Sequence, residues 1–261
     1  MKHLTLNGRV LAYRDVGDGV PLLLFHGFPF TSASFAALLD APPRGVRLLT
    51  PDLRGFGESA LGPGPSTMEA MAEDALALLD ALSLPSAVVG GLSMGGYVAL
   101  SLARLDPGRV RGLLLVDTQS LPDDEAGKAR REAVAHDVLA HGVDGLVDGM
   151  LPRLFAAATP AAVRAPIEAL MRAQTPEAVA AASRGMASRA DAKDLLARFA
   201  GPALVVVGAE DVITPPEKAK AMADLLGDGR LEIVEGAGHL VPVERPAEFK
   251  RLLERFATAF G

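Results

Sequence analysis

The stretch from Val88 to Leu100, VVGGLSMGGYVAL, constrains the fold more than any other part of the chain. Ala87-Val88-Val89 is a short apolar run of the kind that forms a buried strand, and Tyr97 to Ala103 reads as a well-packed helix. Between them lies Gly91-Leu92-Ser93-Met94-Gly95, a G-x-S-x-G in a strand–turn–helix setting. A side chain held on so sharp a turn needs small neighbours two positions away on either side. Gly91 and Gly95 meet that need, and Gly96 lets the helix pack close to the sheet. Ser93 then stands above the C-terminal edge of a sheet, at the positive end of a helix dipole, as a candidate nucleophile. With 27 glycines among 261 residues the bare pattern arises by composition in roughly one such chain in ten, so its setting and the rest of the chain must carry the argument.

The remaining segments supply that setting. His3 to Leu6 and Val10 to Tyr13 flank Asn7-Gly8, the signature of a two-residue hairpin turn. Pro21 to Phe25 is an apolar run of the kind seen in a parallel strand buried on both faces, Val46 to Thr50 reads as a strand, and Val110 to Asp117 and Pro202 to Gly208 repeat the buried-strand pattern. Leu231 to Val234 completes the strands. Helices alternate with them. One starts at Ser32 or Ser34, and one follows a capping box at Ser66-Thr67-Met68-Glu69, with its stripe at Met71, Ala75, Leu78, Leu79 and Leu82. Others start at Thr214-Pro215-Pro216-Glu217 and at Pro246. Strand–helix alternation after an opening hairpin predicts an α/β protein with a mostly parallel, eight-stranded sheet flanked by helices. From Leu121 to Ala200 no strand-like run occurs, and Thr159-Pro160 and Thr175-Pro176 mark helix starts. Residues 121–200 are therefore expected to be a helical cap inserted into a core of residues 1–120 and 201–261.

Composition excludes several functions. Apolar residues make up 49% and charged residues 22%, which is globular composition. A net charge of −6, no Trp and only two Tyr argue against a nucleic-acid partner. Without Cys there can be no disulfide, thiolate nucleophile or Cys-based metal site. The charged, alternating N-terminus does not read as a signal peptide, and no apolar run approaches the roughly 20 residues that span a bilayer. A cytoplasmic protein with no membrane partner is expected; oligomeric state is not legible.

Three residues fall at predicted strand ends in the order Ser93, Asp211, His239. A serine hydroxyl needs a base near neutral pH, neutral histidine is suited to that range, and the imidazole needs a carboxylate behind it. His3, His26, His136 and His141 compete with His239, which the glycine-flanked loop Gly236-Ala237-Gly238 favours. Glu210 and Asp117 compete with Asp211, which is favoured over both; Asp117 also sits at a strand end and reads otherwise as a hydrogen-bonding loop anchor. The backbone N–H groups of Phe28 and Met94 are the expected donors to a developing oxyanion.

The segments HGFPFTSASF, TPDLRGFGES, GGLSMGGYVALSLA, VVVGAEDVITPPE and EGAGHLVPVERPAEF together resemble the α/β-hydrolase superfamily over essentially the whole chain. Within it the resemblance is to small bacterial serine esterases and enol-lactonases, a group that includes the cofactor-free haloperoxidases. The resemblance implies Ser93 as nucleophile, Asp211 as acid, His239 as base, Phe28 as a source of oxyanion donation, and a lid between the sixth and seventh core strands. It assigns the Asp52 to Ser59 loop a structural role. Dehalogenases and epoxide hydrolases carry Asp at the elbow, and haloperoxidases usually carry Trp where this chain has Phe28.

The expected activity is serine hydrolysis of a carboxylic ester or lactone through an acyl-enzyme, with no cofactor or metal. Carbon–carbon bond hydrolysis or perhydrolysis by the same triad is the alternative, followed by a non-catalytic ligand-binding protein on the same scaffold. Leu146, Met150, Leu154, Phe155 and Met186 are candidate substrate contacts, although each could equally pack the cap onto the sheet. Few cationic residues can be placed near Ser93 from sequence, which favours neutral or apolar acyl groups over dicarboxylates.

Overall fold

The computed structural model describes residues 1–6 and 8–260. Eight strands form one sheet: β1 (Lys2–Leu6), β2 (Arg9–Gly17), β3 (Val20–Phe25), β4 (Val46–Pro51), β5 (Ala87–Leu92), β6 (Val110–Val116), β7 (Ala203–Gly208) and β8 (Gly229–Val234). Their spatial order is β1-β2-β4-β3-β5-β6-β7-β8. The β1–β2 and β2–β4 pairs are antiparallel and all the others parallel. Leu6 pairs with Arg9 across the first turn; the Asn7-Gly8 turn assignment itself includes Asn7, outside the described residues.

The apolar runs dictate this arrangement, because successive strand side chains point to opposite faces. In β3, Leu23 and Phe25 join one core cluster while Leu22 and Leu24 join the other. In β7, Val205 and Val207 face one way and Leu204 and Val206 the other. A sheet buried on both faces must be covered on both. The helices α1 (Ala36–Asp40), α2 (Met68–Ala81) and α3 (Met94–Leu105) belong to its first half. Five helices lie between β6 and β7: α4 (Glu125–His141), α5 (Asp144–Leu154), α6 (Ala161–Arg172), α7 (Pro176–Ala187) and α8 (Lys193–Arg198). Then come α9 (Pro216–Ala223), α10 (Val241–Glu244) and α11 (Pro246–Ala257). The apolar stripe of α2 packs into one cluster and that of α11, Phe249, Leu252, Leu253 and Phe256, into the other. Buried residues of α4 (Ala135, Val138) and of α5 and α6 (Val147, Leu154, Ile167) divide between the same two clusters. No helix among the described residues is long and apolar enough to cross a membrane.

Helix starts differ from the sequence reading in three places. Thr67, not Ser66, caps α2 by accepting from Ala70 N, and Glu69 accepts from Ser101 Oγ instead of closing the capping box. Thr159 and Thr214 each precede a helix that begins one residue later than their Pro, so neither caps it, and both hydroxyls bond elsewhere. Thr175 does cap α7.

Chain order places the site. From β3 the chain steps to β4 on one side and then crosses to β5 on the other, so the sheet's topological switch point lies between β3 and β5. The segments leaving the C-terminal ends of these two strands carry Phe28 and Ser93.

Candidate active site

Ser93 follows β5 with φ 54° and ψ −112°, a conformation that non-glycine residues rarely adopt and that costs about 1–3 kcal/mol. Its surroundings hold it there. Ser93 N donates to Val116 O on β6 at 2.9 Å, and Thr118 Oγ1 donates to Ser93 O at 2.8 Å. A Cβ on Gly91 would lie 2.1 Å from the Gly95 carbonyl carbon, and one on Gly95 would lie 2.3 Å from Phe25 O. Both glycines are therefore demanded by close backbone approach.

His239 Nε2 lies 2.8 Å from Ser93 Oγ, and His239 Nδ1 lies 2.8 Å from Asp211 Oδ2. A carboxylate only accepts, so Nδ1 carries the hydrogen and Nε2 accepts from the serine hydroxyl. Asp211 is held by its own turn. Its Oδ1 accepts from Ile213 N at 2.7 Å and Thr214 N at 2.9 Å, and its Oδ2 accepts from Thr214 Oγ1 at 2.7 Å. Burial opposes ionisation of Asp211, but its bonds to His239 and Thr214 outweigh burial and hold the carboxyl below its usual range. Burial likewise disfavours the imidazolium of His239, yet the Asp211 carboxylate prevails and raises its pKa above the ordinary histidine value. Both residues are buried, and Ser93 is half-buried.

The competing residues are occupied elsewhere. Asp117, fully buried, accepts from Gly208 N at 2.9 Å and Val241 N at 3.1 Å, and so ties the end of β7 to the chain beyond His239. Burial pushes its carboxyl up to about 8. Glu210 is exposed and accepts from Ala157 N. His26 is buried, accepting from Leu53 N at Nε2 and donating from Nδ1 to Gly27 O, and burial lowers its pKa. His3, His136 and His141 are exposed. Asp52 accepts from Ser32 N and Glu58 N, bracing the loop it opens. Met94 is the first residue of α3, so its N–H has no intrahelical acceptor, and Phe28 N–H has no acceptor among the described residues.

Ser93, His239 and Thr214 open onto a cavity of about 360 Å³. Of the five anticipated contacts, Leu146, Met150 and Met186 line it. Leu154 and Phe155 do not, which corrects the sequence reading. The chain leaving α5 docks instead on the His239 loop, where His239 N donates to Leu154 O at 2.9 Å. A Cβ on Gly238 would lie 2.6 Å from both Phe155 C and Ala156 N. Leu154 is fully buried in the core, and Phe155 is buried beneath the Arg164 guanidinium. Arg130, Arg131 and Arg153 line the same cavity as Ser93, where the sequence reading placed few cations. Those arginines lie on α4 and α5, some forty to sixty positions from Ser93 in sequence, and only the packing of these helices at the site brings them there.

Two further residues escape sequence reasoning. Thr214 reads as a helix cap but serves Asp211 and lies 3.2 Å from His239 Nδ1. Glu244 reads as one of many surface acids in a charged helix. Its Oε1 accepts from Ala156 N and Thr159 Oγ1, and its Oε2 accepts from Gly238 N, clamping the chain between α5 and α6 to the loop that carries His239. Among the described residues no group of three or more His, Asp or Glu could hold a metal ion together.

The family model described as the alpha/beta hydrolase family matches residues 22–252. The chain belongs to that family. A thermophilic esterase from Thermogutta terrifontis, in its malate-bound structure, superposes with a TM-score of 0.93 at 39% identity, covering 98% of this chain and 97% of that one. The enol-lactonase of Burkholderia xenovorans LB400 gives 0.88 at 27% identity, covering 98% and 100%. A dihydrolipoyllysine-residue acetyltransferase component of an acetoin cleaving system from Pseudomonas putida is 30% identical over 96% of this chain and 67% of its own length. This hydrolase therefore resembles an esterase and an enol-lactonase over nearly its full length.

Proposed function

We propose that this hydrolase cleaves carboxylic esters or lactones with Ser93 as nucleophile, His239 as general base and Asp211 as the supporting acid. The observation that carries the reading is the hydrogen-bonded sequence from Ser93 Oγ through His239 to Asp211, opening onto a cavity. In this reading Nε2 takes the serine proton as Oγ attacks the carbonyl carbon, and Asp211 stabilises the imidazolium that forms. The oxyanion of the tetrahedral intermediate accepts from the N–H groups of Phe28 and Met94; one such donor typically contributes about 10²–10³ in rate. His239 returns the proton to the leaving alcohol, and water then releases the acid by the same steps. Residues 121–200 act as the cap over a core formed by 1–120 and 201–261.

The relatives named as esterase and enol-lactonase support this substrate range. The test is steady-state hydrolysis of a short-chain aryl ester and a panel of lactones by wild type, Ser93→Ala and Asp211→Asn. Ser93→Ala loses nearly all turnover, and Asp211→Asn loses on the order of 10⁴ in kcat by analogy with the serine-protease triad. An unchanged Ser93→Ala rate sinks the reading. A loss under tenfold in Asp211→Asn, with a much larger one in Asp117→Asn, moves the acid to Asp117.

A further inference from the structure

The cavity at Ser93 differs in charge from the molecule that contains it. The chain carries a net charge of −6, yet Arg130, Arg131 and Arg153 line the cavity and no Asp or Glu does. A cleft lined by one sign of charge concentrates ligands of the opposite sign. The three arginines are not equivalent. Arg131 is held in place by donating to Asp123 at 3.0 Å, a carboxylate it shares with Arg189, so part of its charge is compensated and its guanidinium is engaged. Arg130 and Arg153 are exposed and have no acidic partner among the described residues.

Their positions follow from helix geometry. On α4, Arg130 lies one turn before Val134, and on α5, Arg153 lies one turn after Met150, which itself follows Leu146 by a turn. All five of these residues line the cavity. Because α4 and α5 are joined at Gly142, Val134 and Leu146 lie nearer the connection and both arginines lie farther from it. Each helix thus brings to the cavity an apolar side chain and, one turn away, an arginine. That is the arrangement that receives a hydrocarbon chain ending in an anion, and a guanidinium fits a planar carboxylate with paired donors.

We propose that the substrate is an ester or lactone carrying a carboxylate remote from the scissile carbonyl, with the carboxylate held by Arg130 and Arg153 and the intervening carbons against Leu146 and Met150. This rests on the ester or lactone reading of Ser93 and names its substrate class. It also replaces the preference for neutral acyl groups drawn from sequence.

Two aryl esters of equal acyl length test it: the mono-4-nitrophenyl ester of adipic acid and 4-nitrophenyl hexanoate, which differ in ending in a carboxylate or a methyl group. The readout is the ratio of their kcat/KM values at low ionic strength, compared across wild type, the Arg130→Gln/Arg153→Gln double variant and Arg153→Lys. Exposed ion pairs contribute about two- to fivefold each, so the ratio falls roughly tenfold in the double variant. The fall is mainly in KM for the adipate ester, it shrinks when salt is added, and Arg153→Lys, which keeps the charge but loses the paired donors, gives a ratio between wild type and the double variant. Partial misfolding lowers both rates and cancels in the ratio. A ratio within twofold of wild type in the double variant overturns the proposal while leaving Ser93 as nucleophile. Failure of wild type to hydrolyse either ester, with Ser93 unreactive toward a fluorophosphonate, overturns the esterase reading and this inference with it.

Discussion

Replacing Glu244 by Gln should damage catalysis although this side chain touches neither Ser93 nor Asp211. Its carboxylate receives Ala156 N at 2.8 Å and Thr159 Oγ1 at 2.5 Å on one oxygen, and Gly238 N at 2.8 Å on the other. An amide of the same shape has one oxygen and one NH₂, so either the cap side or the Gly238 side must face a donor with a donor. A buried N–H left without an acceptor costs about 1–3 kcal/mol, and the remaining bonds lose their charge assistance, giving about 2–3 kcal/mol in all. For a chain of this size that lowers Tm by roughly 5–10 °C. Gly238 precedes His239, whose own N–H is anchored to Leu154 O in the cap, so the loss is felt at the imidazole. A displacement near 1 Å at a reacting group can cost about 10² in rate. The assay pairs thermal unfolding by circular dichroism with Michaelis kinetics at 25 °C, where the variant stays folded. The expected result is a kcat reduced about 10- to 100-fold with KM within threefold. A Tm within 2 °C of wild type together with kcat within twofold would refute the clamp.

Three other perturbations follow from the same geometry. Thr214→Val removes the hydroxyl that donates to Asp211 Oδ2, one bond to a charged group, and should lower kcat about tenfold with little change in KM; an unchanged kcat would make the hydroxyl incidental. Because His239 must be neutral to accept the serine proton and Asp211 raises its pKa, kcat/KM should fall on the acid side with a midpoint above about 6.5. A pH–rate profile with its acid limb below that value would contradict the pairing. Asp117, raised to about 8 by burial, binds a proton in the folded chain that the unfolded chain releases near pH 4, so its contribution to stability falls as pH rises between those values. Urea unfolding from pH 5 to pH 8 should therefore show a shallower decline in Asp117→Asn than in wild type, by up to about 1 kcal/mol per pH unit. Parallel stability–pH curves would show that Asp117 does not take up that proton.

What could be read from sequence divides along a physical line. Continuous apolar runs in β3, β5, β6 and β7 state that both faces of a sheet are covered, and Gly91 and Gly95 state where backbones meet closely. These are local signals, and the family fold follows from them. Thr214 was hidden because a Thr before Pro-Pro-Glu has the chemistry of a helix cap, and whether its hydroxyl turns to the helix or to a carboxylate is decided by where β7 and β8 end. Leu154 and Phe155 read like Leu146 and Met150 because helix periodicity does not say which turn of α5 lies over the cavity and which docks on the His239 loop. The arginines of α4 and α5 were hidden for the same reason. A charged residue in a cap helix looks solvent-facing until tertiary packing assigns that face an opposite surface.

The central claim is that the Ser93 hydroxyl, with its proton accepted by His239, is the group that attacks. Its most direct measure is stoichiometric reaction with a fluorophosphonate, followed by intact mass and peptide mapping, in wild type and His239→Ala. One adduct per chain, located on Ser93 and slowed by orders of magnitude in His239→Ala, is the predicted result. Labelling at another residue, or at Ser93 with the same rate in both proteins, would contradict it.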